Sequence, residues 1–105
     1  MKKFNKYLDE HCKVKNNRLC IGLDIDNSTL KTPSLDYMND FILDIIDNTL
    51  DICPVYKINF AFYERFGHRG FKILENISKK LEGKAVSIAD AKRGDIGNSS
   101  KFYAE

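Results

Sequence analysis

With 105 residues, 43% of them hydrophobic and 30% charged, the chain has enough apolar material for a globular core and lacks the composition of a disordered one. Its 17 basic and 15 acidic side chains leave a net charge of only +2, with no basic stripe or aromatic-interleaved basic patch of the kind that binds nucleic acid. No apolar run approaches the ~20 residues of a membrane span, and Met1-Lys2-Lys3 leads into Phe4-Asn5-Lys6 without the apolar stretch of a secretory signal, so a cytoplasmic setting with no membrane partner is expected.

The first predicted element is a short helix over residues 2–14, where Phe4, Tyr7, Leu8 and Cys12 recur at helical spacing. A strand is expected over Leu19–Leu23, ending at Asp24. Ser34 reads as the N-cap of a helix whose buried stripe runs through Leu35, Met38, Ile42, Ile45, Ile46 and Thr49. A second strand, Val55–Ile58, is entered through Pro54, a residue that suits the start of a strand. A further helix follows Gly67, with Phe71, Leu74, Ile77 and Leu81 expected to face inward and Gly83 as its stop. The third strand is Ala85–Asp90.

Lys57 follows Asp24 by 33 residues, and Asp90 follows Lys57 by the same interval. That interval is about one strand, one helix and two turns. It predicts three successive strands that each deliver an ionisable group at the same level, near their C-terminal ends. Spacing alone leaves open that these charges are loop starts in solvent. Cys12, Cys20 and Cys53 are odd in number and form no C-x-x-C pair, so neither a disulfide framework nor a zinc site is indicated. His11 and His68 are singletons and read as surface or packing residues.

If the third strand continues through Lys92, then Asp90 and Lys92 project to one face and Ala91 to the other. Burying such a pair requires desolvating both ions, and a solvated surface pair is the plainer reading. The wider segment, Asp90-Ala91-Lys92-Arg93-Gly94-Asp95-Ile96-Gly97-Asn98, nevertheless resembles the Asp-x-Lys-x-x-Asp signature of the orotidine 5′-phosphate decarboxylase family, in its longer bacterial-type branch. Leu19-Cys20-Ile21-Gly22-Leu23-Asp24-Ile25-Asp26 is similar to that family's first strand. Lys57-Ile58-Asn59-Phe60-Ala61-Phe62-Tyr63-Glu64 is similar to its second, with Ile58-Asn59 in place of the commoner Pro-Gln. The three blocks stand in family order from Leu19 onward.

The resemblance implies a (β/α)8 barrel, a fold of on the order of 250 residues whose chemistry sits at the C-terminal strand ends. With 105 residues, the chain is expected to be the N-terminal part of one such barrel domain, about its first three βα units, as a fragment or a truncated gene product. The N-terminal helix would cover the barrel bottom or pack beside the first strand.

Lys57, Asp90, Lys92 and Asp95 alternate in sign, which makes a buried cluster tolerable and favours a protonated Lys92. A protonated lysine is a poor nucleophile and a ready proton donor, which argues against Schiff-base chemistry. The resemblance implies the reaction: decarboxylation of orotidine 5′-phosphate to uridine 5′-phosphate in pyrimidine nucleotide synthesis, with no metal and no organic cofactor. It implies that Lys92 gives the proton to C6 and that Asp90 lies beside the departing carboxylate. Asp24 and Lys57 would hold ribose hydroxyls, with Ser99, where the family commonly has Thr, on the ribose side. Asp95, with Ile96 beside it, would reach into the partner's site of a homodimer. Arg93 reads as a solvent-facing charge, and Gly94 and Gly97 as loop residues. Glu64 is expected in a helix-start or interface ion pair, and Phe60, Phe62, Tyr63 and Phe66 in core or dimer packing. Two alternatives stand beside this reading: a magnesium-dependent sugar-phosphate aldolase or decarboxylase of the same suprafamily, such as 3-hexulose-6-phosphate synthase, and a catalytically inactive half-barrel.

Overall fold

The computed structural model describes residues 3–26 and 34–91. In chain order the elements are α1 (Phe4–Lys15), β1 (Cys20–Gly22), α2 (Leu35–Thr49), β2 (Val55–Asn59), α3 (Ala61–Glu64), α4 (His68–Leu81) and β3 (Val86–Asp90). The strands form one parallel sheet in the order β1-β2-β3, with Gly22 opposite Lys57 and Asn59 opposite Asp90. Sequential parallel strands joined through helices are the way a (β/α)8 barrel begins.

The core lies on one face of this sheet. Leu23, Tyr56 and Ile58 meet Met38, Ile42 and Ile46 of α2 and Ile73, Ile77 and Leu81 of α4, all buried. Ser34 caps α2 as expected, its Oγ accepting the Tyr37 N–H at 3.0 Å, a contact that typically stabilises a helix by about 1 kcal/mol. The two long helices are also tied by polar contacts, from Asn76 Nδ2 to Asn39 Oδ1 at 3.0 Å and from Lys80 Nζ to Asp47 Oδ1 at 2.7 Å. At the end of α4, Gly83 takes a φ of 72°, which a side chain would resist.

Phe71 does not face inward as its spacing suggested; it is 50% exposed. The buried stripe of α4 is Gly70, Ile73, Ile77 and Leu81, so the inward face is rotated by one residue at its start. The cause is Gly70, which lies against the backbone of α3 so closely that a Cβ there would overlap the Tyr63 carbonyl. Only glycine lets these two helices meet. The short helix α3 has no counterpart among the predicted elements, and the aromatic run around it is core: Tyr63 is fully buried, with Phe60, Phe62 and Phe66 packed against the cluster.

The N-terminal helix α1 lies at the bottom, against β2 and β3. Its end is fastened to the turn that enters β2, where Lys15 Nζ donates to the Leu50 carbonyl at 2.7 Å and Asn17 Nδ2 to the Ile52 carbonyl at 2.7 Å. His11 packs edge-on to the Tyr7 ring with centroids 4.5 Å apart, in keeping with a packing residue. Among the described residues no helix is long and apolar enough to cross a membrane.

Candidate active site

Side chains alternate along a strand, so the residues that do not enter the core form rows on the opposite face. The parallel register aligns Cys20, Gly22 and Asp24 of the first strand and its extension with Val55, Lys57 and Asn59, and these with Val86, Ile88 and Asp90. Asp24, Lys57 and Asp90 thus share the face away from the helices, at the C-terminal ends of the strands.

They do not share a level, as the equal intervals suggested. Lys57 is opposite Gly22 and Ile88, whereas the residue level with Asp90 is Asn59. Lys57 therefore starts two residues lower in the sheet, ~6.6 Å of strand rise. Its long side chain makes up the difference and brings Nζ to 3.9 Å from Asp90 Oδ2. The Asp90 side chain is 19% exposed and that of Lys57 43%. At this distance and exposure the pair adds little to stability, so its interest lies in where it puts the charges.

Asp24 is fixed by the backbone. Its Oδ1 accepts the Asn59 N–H at 3.1 Å, while the other oxygen lies where Gly22 has no side chain; a Cβ on Gly22 would stand 3.2 Å from Asp24 Oδ2. The Gly-Leu-Asp order at the strand end thereby makes room for the carboxylate. Asn59, one of the two departures from the second sequence block, has two structural roles: its N–H holds Asp24, and its Oδ1 accepts the Ala61 N–H at 3.1 Å, turning the chain into α3. The first of these roles uses a group that every residue but proline carries, so no side-chain pattern announces it.

Cys20 lies lower in the same row. Burial raises its thiol pKa and Cys53 adds to this, with Lys57 pulling the other way and Asp24 reinforcing the rise. The rise works against the thiolate form that a nucleophilic cysteine needs. Lys92, Arg93, Gly94, Asp95, Ile96, Gly97 and Ser99 lie outside the described residues.

Comparison with known proteins places this face in context. The family model of the orotidine 5′-phosphate decarboxylase / HUMPS family matches residues 17–105. An orotidine 5′-phosphate decarboxylase of Dehalococcoides mccartyi is 42% identical over 102 residues, which is 97% of this chain and 37% of that protein. The enzyme of that name from Bacteroides fragilis is 43% identical over 103 residues, 92% of this chain and 38% of its own length. Among solved structures, a Toxoplasma gondii protein assigned as an orotidine-monophosphate decarboxylase superposes with a TM-score of 0.80 at 36% identity, covering 98% of this chain and 36% of its own. The chain thus spans a little over a third of the length of the relatives it matches.

Proposed function

The chain belongs to the orotidine 5′-phosphate decarboxylase / HUMPS family, and from that membership we propose that residues 1–105 are the N-terminal part of a single (β/α)8 barrel domain that converts orotidine 5′-phosphate to uridine 5′-phosphate in the cytoplasm. The observation that carries the reading is the convergence of Asp24, Lys57 and Asp90 on one face at the C-terminal strand ends, with Lys57 Nζ 3.9 Å from Asp90 Oδ2. In a barrel this is the catalytic rim. The chain then runs from Asp90 directly into Ala91-Lys92-Arg93-Gly94-Asp95, the segment that completes the signature.

In the proposed reaction the bond between C6 and the carboxylate breaks, CO2 leaves, and the electron pair remains on C6. Lys92 Nζ then gives that carbon a proton. Asp90 lies beside the departing carboxylate, where repulsion between like charges falls as CO2 separates, while the Lys92 ammonium stabilises the charge that grows at C6. Lys57 pairs with Asp90 and keeps a cation beside it; with Asp24 it holds the ribose hydroxyls. Ser99 offers a hydroxyl on the ribose side. Asp95 and Ile96 serve the partner's site in a homodimer. No metal or organic cofactor takes part.

The magnesium-dependent sugar-phosphate relatives are the competing reading, and metal dependence separates the two. The test uses a completed barrel, in which residues 1–105 are joined to the remaining βα units of the Dehalococcoides relative. Its conversion of orotidine 5′-phosphate is expected to be unchanged by EDTA. Absence of that conversion, together with turnover of a sugar phosphate that EDTA abolishes and magnesium restores, would favour the sugar-phosphate class.

A further inference from the structure

Regular parallel pairing breaks off at the tip of β1. With Gly22 opposite Lys57, Leu23 lies opposite Ile58. A parallel ladder would then send the Leu23 N–H to the Lys57 carbonyl and the Asn59 N–H to the Leu23 carbonyl. The first bond forms, at 2.9 Å. In place of the second, the Asn59 N–H donates to Asp24 Oδ1 at 3.1 Å. The Leu23 carbonyl is taken instead by the Tyr63 hydroxyl, which reaches it from α3 across 40 residues of sequence.

Leu23 and Tyr63 are both fully buried. A buried carbonyl without a donor is strongly disfavoured, so without the phenol the Leu23 carbonyl would take the N–H that the parallel register offers it, that of Asn59. Asp24 would then lose the donor that orients it. We propose that Tyr63 is the positioning residue for Asp24: its phenol satisfies the Leu23 carbonyl and so leaves the Asn59 N–H to hold the Asp24 carboxylate at the strand end. Burial above all, and the nearby Asp24 charge, push the Tyr63 phenol far above its ordinary range, so it remains a donor at every pH of interest. Gly70 belongs to the same device, because its missing side chain lets α4 close on the Tyr63 backbone.

The corner that carries Tyr63 also touches the third strand. The Phe60 N–H donates to the Asp90 carbonyl at 2.9 Å. Asn59 and Phe60, adjacent in sequence, thus turn their N–H groups to opposite sides and hold the two carboxylate-bearing strand ends in one register.

The kinetic consequence rests on the proposed role of Asp24 at the ribose; the structural one does not. Tyr63→Phe, Asp24→Ala and the double variant are compared with the parent by two readouts. The first is the Asn59 amide proton shift in 15N-asparagine-labelled protein, read in the 105-residue chain and in the completed barrel. Tyr63→Phe is expected to move it upfield, because a neutral carbonyl replaces the charged carboxylate as acceptor, and Asp24→Ala, which removes the carboxylate, is also expected to move it upfield. The second is steady-state kinetics of the completed barrel, where Tyr63→Phe is expected to raise KM for orotidine 5′-phosphate about tenfold, with a much smaller change in kcat. In the Asp24→Ala background it should add nothing. An unmoved Asn59 amide, or KM effects that simply add, would overturn the proposal. If Tyr63→Phe does not fold, Asp24→Ala decides alone, since an unmoved Asn59 amide in that variant is equally fatal. The amide shift involves no substrate, so a barrel that fails to decarboxylate refutes the proposed function and leaves the positioning role to be judged by the amide.

Discussion

Lys92→Ala in the completed barrel is expected to lower kcat by ~1000-fold or more, equivalent to at least ~4 kcal/mol of transition-state stabilisation. In the proposed reaction the substitution removes two things at once, the proton that C6 would receive and the cation that would stabilise the charge growing there. Both matter most in the transition state, so KM should change less than kcat. The position of Asp90 supports the assignment: it ends β3 on the face shared with Lys57 and Asp24, and the signature puts Lys92 two residues further along the same chain. Steady-state assay of uridine monophosphate formation measures the effect. A fall of less than tenfold would make Lys92 an ion-pair residue of the scaffold and not the proton donor.

A second large effect is expected from mixing two inactive variants. If Asp95 serves the partner's site, a dimer of one Lys92→Ala and one Asp95→Ala subunit holds one site with both defects and one with none. Unfolding and refolding the variants together should restore activity to about one quarter of the parent, because random pairing makes half the dimers mixed and each mixed dimer has one good site of two. Each variant refolded alone should stay inactive. Mixed dimers that form and yet show no recovered activity would place Asp95 in its own subunit's site.

The parts of the fold that rest on local signals were legible in the residues. Ser34 before an apolar stripe marks the start of α2, and the glycine at position 83 marks the end of α4, because a cap and a positive φ are chemical requirements of a helix end. The stripe Met38, Ile42 and Ile46 is buried as its spacing required. What sequence spacing does not carry is register. Equal intervals from Asp24 to Lys57 to Asp90 count residues through helices and turns, whereas the level of a side chain is set by which backbone groups pair across the sheet. That is why Lys57 starts lower than its neighbours and reaches the site by the length of its side chain.

The α3 corner was illegible for a related reason. Phe60, Phe62, Tyr63 and Phe66 announce packing, and packing is what most of them do. The hydroxyl that separates Tyr63 from the phenylalanines finds its partner 40 residues away, on a backbone carbonyl. Gly70 sits inside an otherwise ordinary helical pattern, and a lone glycine there does not say which backbone lies against it. The candidate site was accessible mainly through its three sequence blocks. Two of their charged ends, Asp24 and Asp90, arrive on one face together with Lys57.

The most direct measurement compares residues 1–105 alone with the completed barrel in one assay for conversion of orotidine 5′-phosphate to uridine 5′-phosphate. In the proposed enzyme this chain supplies the charge network and the ribose contacts, while later strands clamp the phosphate and pyrimidine and so drive the reacting carbon into place. Sustained conversion is expected from the completed barrel, and no detectable product from residues 1–105. Conversion by residues 1–105 alone, or none by a completed barrel shown to be folded, would contradict this proposal.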